Sequence, residues 1–365
     1  MRVLVVAVSA RMIAQQAVAD GYEVTALDRF GDVDLRAIAP GATAPSNDAL
    51  TALAADLDAD AVVYGGGLEN RPDLVAQLSD GRELLGTPAE LLAGARDPWA
   101  VGAAARAAGA RAPEIRSVDA RPTFEPGGGD RATWLRKPQR GGGGRGVRRW
   151  RGGRLRSTEI LQRHVHGLSC SAVAIADGRR AVVLGLTEQL HRPPGFQWTG
   201  NLAPPRLPAG ERDELDGQLR AACAEMAARF GVRGAFGVDA IWDGRHAWVL
   251  ELNPRPPAGL ELFGPGSFEA HVRGARGVSL PTAGSPPATR CAKVKLVLFA
   301  ERDVYAPNPA WWPEGLVRDI PHAGEAIPRG APVCTLVSAT AGEPELAARG
   351  AELLAALPEA VLAGG

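Results

Sequence analysis

The sequence predicts an α/β protein of two or three domains, and three observations carry that prediction. Residues 2–67 alternate short apolar runs with helix-period stretches, the pattern of strands linked by helical crossovers. A strand ending in Lys137 runs almost directly into Gly141-Gly142-Gly143-Gly144-Arg145-Gly146. Two further apolar runs close on oxygen-bearing residues, one at Asp239 and one at Glu251-Leu252-Asn253. At 365 residues the chain exceeds what one ordinary core organises.

The opening element, Arg2 to Val8, reads as a buried strand, followed by a helix from about Met12 to Asp20 that stops at Gly21. Glu23 to Leu27 forms the next strand and ends at Asp28. A helix around Asp48 to Ala55 and the strand Ala61 to Tyr64 complete a Rossmann-like half, closed by Gly65-Gly66-Gly67. The first turn has no GxGxxG, so it is not read as a dinucleotide site and Asp28 is read as a strand-end carboxylate. Gly65 to Asn70 lies at the carboxyl end of a strand, where open sheets bind ligands.

Helices from Pro88 and from Asp97 to Ala108 lead, past Gly127-Gly128-Gly129, to the strand Thr133 to Pro138. The glycines after it free the backbone to turn several N–H groups onto one anion, with Lys137 as a point charge beside them; the competing reading is a flexible linker. Only three of the 41 basic residues are lysine, Lys137, Lys293 and Lys295, which singles out the one beside the glycines. Glu159 to Gly167 leaves this lobe as a strand. Ser171 to Ile175 and Ala181 to Leu186 pair through Asp177-Gly178, and Glu211 to Phe230 is a long amphipathic helix with a Gly231 stop. Cys291 to Ala300 is a strand with Lys293 and Lys295 on one face, taken as solvated. Asp319 to Val337 is a small β appendage, and Glu343 to Leu362 a surface helix.

The central expectation is a hairpin. Asp243-Gly244 folds Ala235 to Val238 back against Trp248 to Leu250, which brings Asp239 to Glu251 and Asn253, two apart on one strand face. Three hard oxygen donors so placed suit Mg²⁺, which takes one or two carboxylates and completes its shell with substrate phosphates. The plainer reading is two strand-end carboxylates in water.

Equal numbers of basic and acidic residues, 41 each, give no reason to expect nucleic acid or an anionic membrane as partner. The opening apolar run is too short to span a bilayer and lacks a leader pattern, so a soluble, cytoplasmic protein is expected. Cys170, Cys223, Cys291 and Cys334 have no CxxC spacing and read as buried thiols. Glu188 reads as a surface residue and His164 and His166 as edge-strand histidines. The loop Phe196 to Asn201 is either a cover for a substrate or a packed surface loop.

In this order the motifs resemble the ATP-grasp superfamily over nearly the whole chain. Lys137-Pro138 with Gly141 to Val147 looks like its lid, in the version found in biotin carboxylases. Asp239 with Glu251-Leu252-Asn253-Pro254-Arg255 looks like its metal and phosphate set. The resemblance implies a three-lobed architecture: a Rossmann-like domain at 1–95, a lid at 96–165, a Mg/ATP lobe at 166–300 and a C-terminal appendage at 301–365.

It also implies roles. Lys137 would bind the α- and β-phosphates of ATP, and the amides of Gly141, Gly142, Gly143 and Gly144 would cover the β- and γ-phosphates. Gln162, Arg163, His164 and Val165 would form the hinge whose backbone meets adenine. Asp239, Glu251 and Asn253 would hold Mg²⁺, or Mn²⁺ in its place, and Arg255 would stabilise the transferred phosphoryl group. The reaction implied is ADP-forming activation of a carboxylate as an acyl phosphate, then attack by an amine. The partners are therefore small-molecule carboxylate and amine substrates, and a homodimer is admitted.

Two departures separate the chain from biotin carboxylase itself. Asp97-Pro98 stands where an Asp-Lys pair is usual, and Gln162, Arg163 and Ser169 stand where hinge glutamates are usual. The stretch Glu251 to Leu262 and the tail Asp319 to Val337 look like a carboxylate–amine ligase branch related to tyramine–glutamate ligases of cofactor synthesis. The alternatives are a bicarbonate-activating carboxylase, which would need a biotinylated carrier from another chain, and a non-catalytic nucleotide-binding protein.

Overall fold

The computed structural model of the chain describes residues 1–117, 134–282 and 293–360. Gly127 to Gly129, the strand start at Thr133, Cys291 and the helix end at Leu362 lie outside the described residues.

Five parallel strands, β1 (Arg2–Val6), β2 (Glu23–Asp28), β3 (Gly41–Thr43), β4 (Ala61–Tyr64) and β5 (Glu83–Leu84), form a sheet in the order β3-β2-β1-β4-β5. Helices α1 (Arg11–Ala19), α2 (Val33–Arg36), α3 (Asn47–Ala54) and α4 (Pro72–Leu78) connect them. β4 is buried at every position, as a central parallel strand between helices requires. Strand order reverses between β1 and β4, so the crevice at their carboxyl ends is open to a ligand. Asp28 lies in the floor of that crevice, fully buried, and accepts the N–H groups of Ala10 at 3.1 Å and Gly31 at 2.8 Å. It holds two turns together, which accounts for a carboxylate at that strand end.

Helices α5 (Ala89–Ala95) and α6 (Pro98–Ala107) lead out of this unit. Asp97 caps α6, accepting from Trp99 N at 2.8 Å and Ala100 N at 3.0 Å, and Pro98 occupies the first helical position, where a missing N–H costs nothing. The segment expected to form the lid contains a small antiparallel sheet of β6 (Ile115–Arg116), β7 (Trp134–Pro138), β8 (Arg148–Arg149) and β9 (Glu159–Arg163), in the order β6-β9-β7-β8. Trp134, Trp150 and Leu161 are its core.

The largest layer has eight strands. β10 (Leu168–Asp177), β11 (Ala181–His191), β12 (Trp198–Ala203), β13 (Arg233–Trp242), β14 (Ala247–Asn253) and β15 (Lys293–Phe299) are continued by β17 (Val317–Arg318) and β19 (Pro332–Ser338), while β16 (Val304–Tyr305) pairs with β18 (Ala326–Ile327). The order is β14-β13-β10-β11-β12-β15-β19-β17, so the C-terminal appendage hydrogen-bonds onto the main sheet through β15 and β19. Helix α7 (Ala209–Phe230) covers one face with Leu215, Leu219, Cys223, Met226 and Phe230, and α8 (Ser267–Ala275) packs on the other side against β10 and β13. Helix α9 (Glu343–Ala356) stops before Pro358, short of the expected end, because that proline cannot continue it. Cys170, Cys223 and Cys334 are buried free thiols.

Two expectations about charge are corrected. Lys295 is 5% exposed rather than solvated and donates to Glu261 Oε2 at 2.6 Å, because the turn Ala258–Phe263 packs over its strand face. Glu188 is buried, not a surface residue, and is ion-paired to Arg206. The Lys295–Glu261 pair continues into Arg11, which bonds Glu261 and, at 2.9 and 3.1 Å, Asp319, joining the first sheet to the C-terminal segment. Asp34 strengthens the junction by accepting Asp319 N at 3.0 Å and Ile320 N at 2.9 Å.

Asp32 sits at this junction with its Oδ2 buried and unpartnered. Burial, then Asp319, Asp28 and Asp34, push its pKa up to about 8. Between about pH 4 and 8 the folded chain holds a proton that the unfolded chain releases, so Asp32 subtracts stability as pH rises, at up to about 1.4 kcal/mol per pH unit. Asp32→Asn mimics the protonated acid. Its denaturant midpoint at pH 8 should exceed that of the unaltered chain, with the gap closing as pH falls and gone below about pH 4; parallel pH profiles would rule out this assignment.

Candidate functional site

The site grows from the β13–β14 hairpin. Asp239 and Glu251 are directly paired across it, and Gly237 faces Asn253. An irregularity between Asp239 and Ala240 puts Val249 opposite Ala240, so Leu250 is the extra residue of a bulge that re-aims the strand just before Glu251. Leu252 turns into the core at 0% exposure, while Glu251 and Asn253 share the opposite face. Asn253 Nδ2 donates to Asp239 Oδ2 at 3.0 Å and reaches Glu251 Oε1 at 3.5 Å. The three residues expected at one point are therefore in contact, with the Asn253 Nδ2 turned to the carboxylates and its Oδ1 accepting from Arg96 at 3.3 Å.

Two facing carboxylates in a half-buried place repel each other. Burial and the charge of Glu251 push Asp239 up to about 7. Glu251 goes the other way: burial opposes its charge, but Arg96, Lys137 and Arg255 together hold it below the ordinary carboxylate range. Such a pair fits a cation. Among the described residues no three His, Cys, Asp or Glu side chains gather to hold a metal alone, so the donor set is two carboxylates and an amide, which suits Mg²⁺ that completes its shell on phosphates.

Supporting residues come from three directions. Gln189 on β11 donates from Nε2 to Asp239 Oδ1 at 2.9 Å, and Ser169 on β10 donates to Gln189 Oε1 at 3.0 Å. Ser169 thus orients a group that orients Asp239. Lys137, at the end of lid strand β7, has its Nζ 3.9 Å from Glu251 Oε2. Arg255 donates from Nε to Glu69 Oε1 at 3.1 Å; burial disfavours its charge, yet Glu69, Asp239 and Glu251 hold its pKa above the ordinary value. Glu69 is buried at 2% exposure and belongs to the segment 65–70 singled out at the end of β4. Tyr64 secures the approach of the two units, its hydroxyl lying 2.8 Å from Pro254 O and 2.9 Å from Thr87 O.

The glycine loop stands over this hairpin. Among the described residues the amides of Gly141, Gly142, Gly143 and Gly144 donate to no backbone carbonyl, which leaves them free for an anion. Its carbonyls are pinned instead: Gly141 O accepts from Arg96 Nη2 at 2.9 Å and Gly143 O from Trp198 N at 3.0 Å. Gly144 combines φ +69° with such closeness to the neighbouring loop that an added Cβ would lie 1.7 Å from Phe196 O, so only glycine fits. This is a docked loop and not a free linker.

At the hinge, Gln162 closes β9 with Arg163, and His164 and Val165 follow. Among the described residues Gln162 Nε2 and His164 Nδ1 are buried without hydrogen-bond partners. The His164 and His166 rings meet edge to face at 4.3 Å, and burial, His166 and Arg149 keep the His164 pKa below its ordinary value. A neutral ring can accept as well as donate.

Arg96 was not singled out from the sequence. It donates to Asn70 Oδ1 at 3.1 Å, Leu252 O at 2.7 Å, Asn253 Oδ1 at 3.3 Å and Gly141 O at 2.9 Å, bridging the first unit, the hairpin and the lid. Its signal was its place just before Asp97-Pro98, where the lysine of the resemblance is missing; partners 26 to 157 positions away left no local trace. Arg96→Ala removes charge-assisted bonds worth about 1.5–3 kcal/mol together. Amides of residues 141–147 should then exchange with solvent about 10- to 100-fold faster, and unchanged exchange there would show that Arg96 does not hold the lid.

Residues 95–259 match the family model described as an ATP-grasp domain. In three dimensions the chain is similar to pyruvate carboxylase from Rhizobium etli, with TM-score 0.73 and 16% identity over 97% of this chain and 37% of that one. It is similar to biotin carboxylase from Campylobacter jejuni, with TM-score 0.70 and 17% identity over 97% and 91%. It is also similar to L-amino acid ligase from Bacillus licheniformis, with TM-score 0.68 and 12% identity over 100% and 99%. The chain thus spans little more than a third of the pyruvate carboxylase and nearly all of the other two. No curated protein matches it in sequence. No helix among the described residues is long and apolar enough to cross a membrane. With a lid, a carboxylate hairpin and a switch-point crevice meeting at one place, the chain is a protein of the ATP-grasp fold that carries an ATP-grasp domain at residues 95–259.

Proposed function

We propose that the chain is an ATP-dependent ligase that activates a carboxylate as an acyl phosphate and passes the acyl group to an amine, forming ADP and phosphate. The observation that carries this reading is the convergence of Asp239, Glu251 and Asn253 beneath Lys137 and the free amides of the glycine loop. Asp239, Glu251 and Asn253 would hold Mg²⁺, which when bound neutralises phosphate oxygens.

The chain's own groups do the rest. The Gly141–Gly144 amides and Lys137 hold the triphosphate, and the Gln162–Val165 segment holds the base. Arg255, fixed by Glu69, places a permanent positive charge beside the carboxylates, where charge builds as the γ-phosphoryl group moves. A carboxylate oxygen of the substrate attacks the γ-phosphorus and the bond to ADP breaks. The amine nitrogen then attacks the acyl carbon, phosphate leaves, and the nitrogen gives up a proton. Arg96 and the Gly143–Trp198 contact keep the lid closed on the reacting groups and water out.

An amino-acid ligase of the tyramine–glutamate kind is the finer form of this proposal. The similarity to a ligase of amino acids over the full length of both chains supports the amino-acid part of this reading. The bicarbonate-activating alternative draws on the two carboxylases. Product analysis separates them. Purified protein with Mg²⁺ and ATP should release ADP and phosphate only when one carboxylate and one amine are both present. ADP release that needs bicarbonate and no amine would favour carboxylation, and AMP with pyrophosphate would exclude an acyl phosphate.

Lys137→Ala should weaken ATP binding at least 10-fold with the melting temperature unchanged, since the side chain lies at a lid strand end and not in a core. Glu251→Ala should abolish ADP formation while the chain stays folded. An active Glu251→Ala protein would refute the metal assignment.

A further inference from the structure

The side-chain amide of Asn253 is held from both sides, and the chemistry of its neighbours fixes which way it faces. On one side Nδ2 donates to Asp239 Oδ2 at 3.0 Å and reaches Glu251 Oε1 at 3.5 Å. On the other side Oδ1 accepts from Arg96 Nη1 at 3.3 Å. An ionised carboxylate only accepts and a guanidinium only donates, so the reverse orientation would set acceptor against acceptor and donor against donor. Asn253 is 4% exposed, so these protein groups are its surroundings.

Arg96 uses the rest of its guanidinium elsewhere. Nη1 also donates to Leu252 O at 2.7 Å, Nε to Asn70 Oδ1 at 3.1 Å and Nη2 to Gly141 O at 2.9 Å. The group is planar and rigid, so a shift at one nitrogen is felt at the others. One side chain thus holds both the orientation of the Asn253 amide and the first carbonyl of the glycine loop.

These two tasks conflict once Asn253 serves as a metal ligand. Mg²⁺ takes oxygen, and the Asn253 oxygen points at Arg96. To bring Oδ1 to the carboxylate side the amide has to turn over. Turning takes the acceptor away from Arg96 Nη1 and presents Nδ2 to it instead, donor against donor. The guanidinium then has to shift, and its bond to Gly141 O shifts with it.

We propose that Arg96 and Asn253 form a latch that couples cation binding at the Asp239–Glu251 pair to the glycine loop, the turning of the Asn253 amide easing the hold of Arg96 on Gly141. This rests on the metal assignment of the ligase reading and adds a regulation of that site. The bond from Trp198 N to Gly143 O at 3.0 Å does not involve Arg96, so the loop stays docked while its first peptide gains freedom to turn toward the phosphates. Coupling of this kind is reciprocal: a loop freed from Arg96 lets the amide turn and tightens cation binding. Arg96 acts here as a positioning residue.

The test is amide hydrogen exchange of the full chain by mass spectrometry without nucleotide, with Mn²⁺ as the cation and its binding followed by electron paramagnetic resonance. Saturating Mn²⁺ should speed exchange of the Arg145 amide, which donates to Gly142 O at 3.3 Å, by about 5-fold or more, the low end of coupling between linked sites, and leave the Trp198 amide unchanged. In Arg96→Ala the Arg145 amide should exchange fast with or without Mn²⁺. Asn253→Asp offers one oxygen to each side at once, so it should bind Mn²⁺ at least as tightly as the unaltered chain and show no loop response, a pairing that a purely structural role for Asn253 does not give. Mn²⁺ bound with Arg145 exchange unchanged, or an Asn253→Asp protein whose loop still responds, would overturn the latch and leave the ligase reading intact. No Mn²⁺ bound by the unaltered chain would overturn the metal assignment and the latch with it. A loop response lost in both variants, without ADP formation from any substrate pair, would uphold the latch and sink the ligase reading.

Discussion

The mutual repulsion of Asp239 and Glu251 is the constraint on which the rest of the structure depends. The two carboxylates face each other across one hairpin in a poorly solvated place, and the fold answers with cations brought from separate parts of the chain. Arg96 comes from the C-terminal end of α5, Lys137 from the end of β7 and Arg255 from just past the hairpin. None of the three forms a close ion pair with either carboxylate: Arg96 is spent on carbonyls and amides, Lys137 stands 3.9 Å off, and Arg255 bonds Glu69. The field is balanced at a distance, and the Asp239 oxygens are held instead by Gln189 and Asn253.

That electrostatic arrangement also explains the joints between lobes. Arg96 ties the lid and the first unit to the hairpin, and Tyr64 ties the first sheet to Pro254. On the other side, Arg11 with Glu261, Lys295 and Asp319 fastens the C-terminal segment to the first sheet. Burial opposes the Asp319 charge, but Arg11 outweighs it and holds the carboxyl down at about 2, so this joint keeps its charges at neutral pH. Among the described residues, Asp32 Oδ2 is buried without a partner at this joint, and burial with the neighbouring carboxylates pushes its pKa up to about 8. The lid differs in kind: its own core is three large side chains, and its docking rests on backbone contacts at Gly141, Gly143 and Gly144.

Local pattern in the sequence was enough for several things. Apolar runs with a fixed period placed the Rossmann-like half and the long helix α7, and the Asp243-Gly244 turn with alternation on either side brought Asp239, Glu251 and Asn253 together. These are short-range consequences of backbone geometry, so they survive without knowledge of the fold. A glycine run beside a rare lysine likewise carried its meaning locally, in what glycine's backbone permits.

What only the tertiary structure decided is which charges are buried and what they meet. Lys295 and Glu188 look like solvated residues in sequence and are buried partners of Glu261 and Arg206, because the elements covering them lie far along the chain. Arg96, Gln189 and Glu69 gained their roles from partners brought close by packing alone. Period and spacing record which face of an element is apolar; they do not record which distant element will cover it, and the energy of a charge depends on that cover.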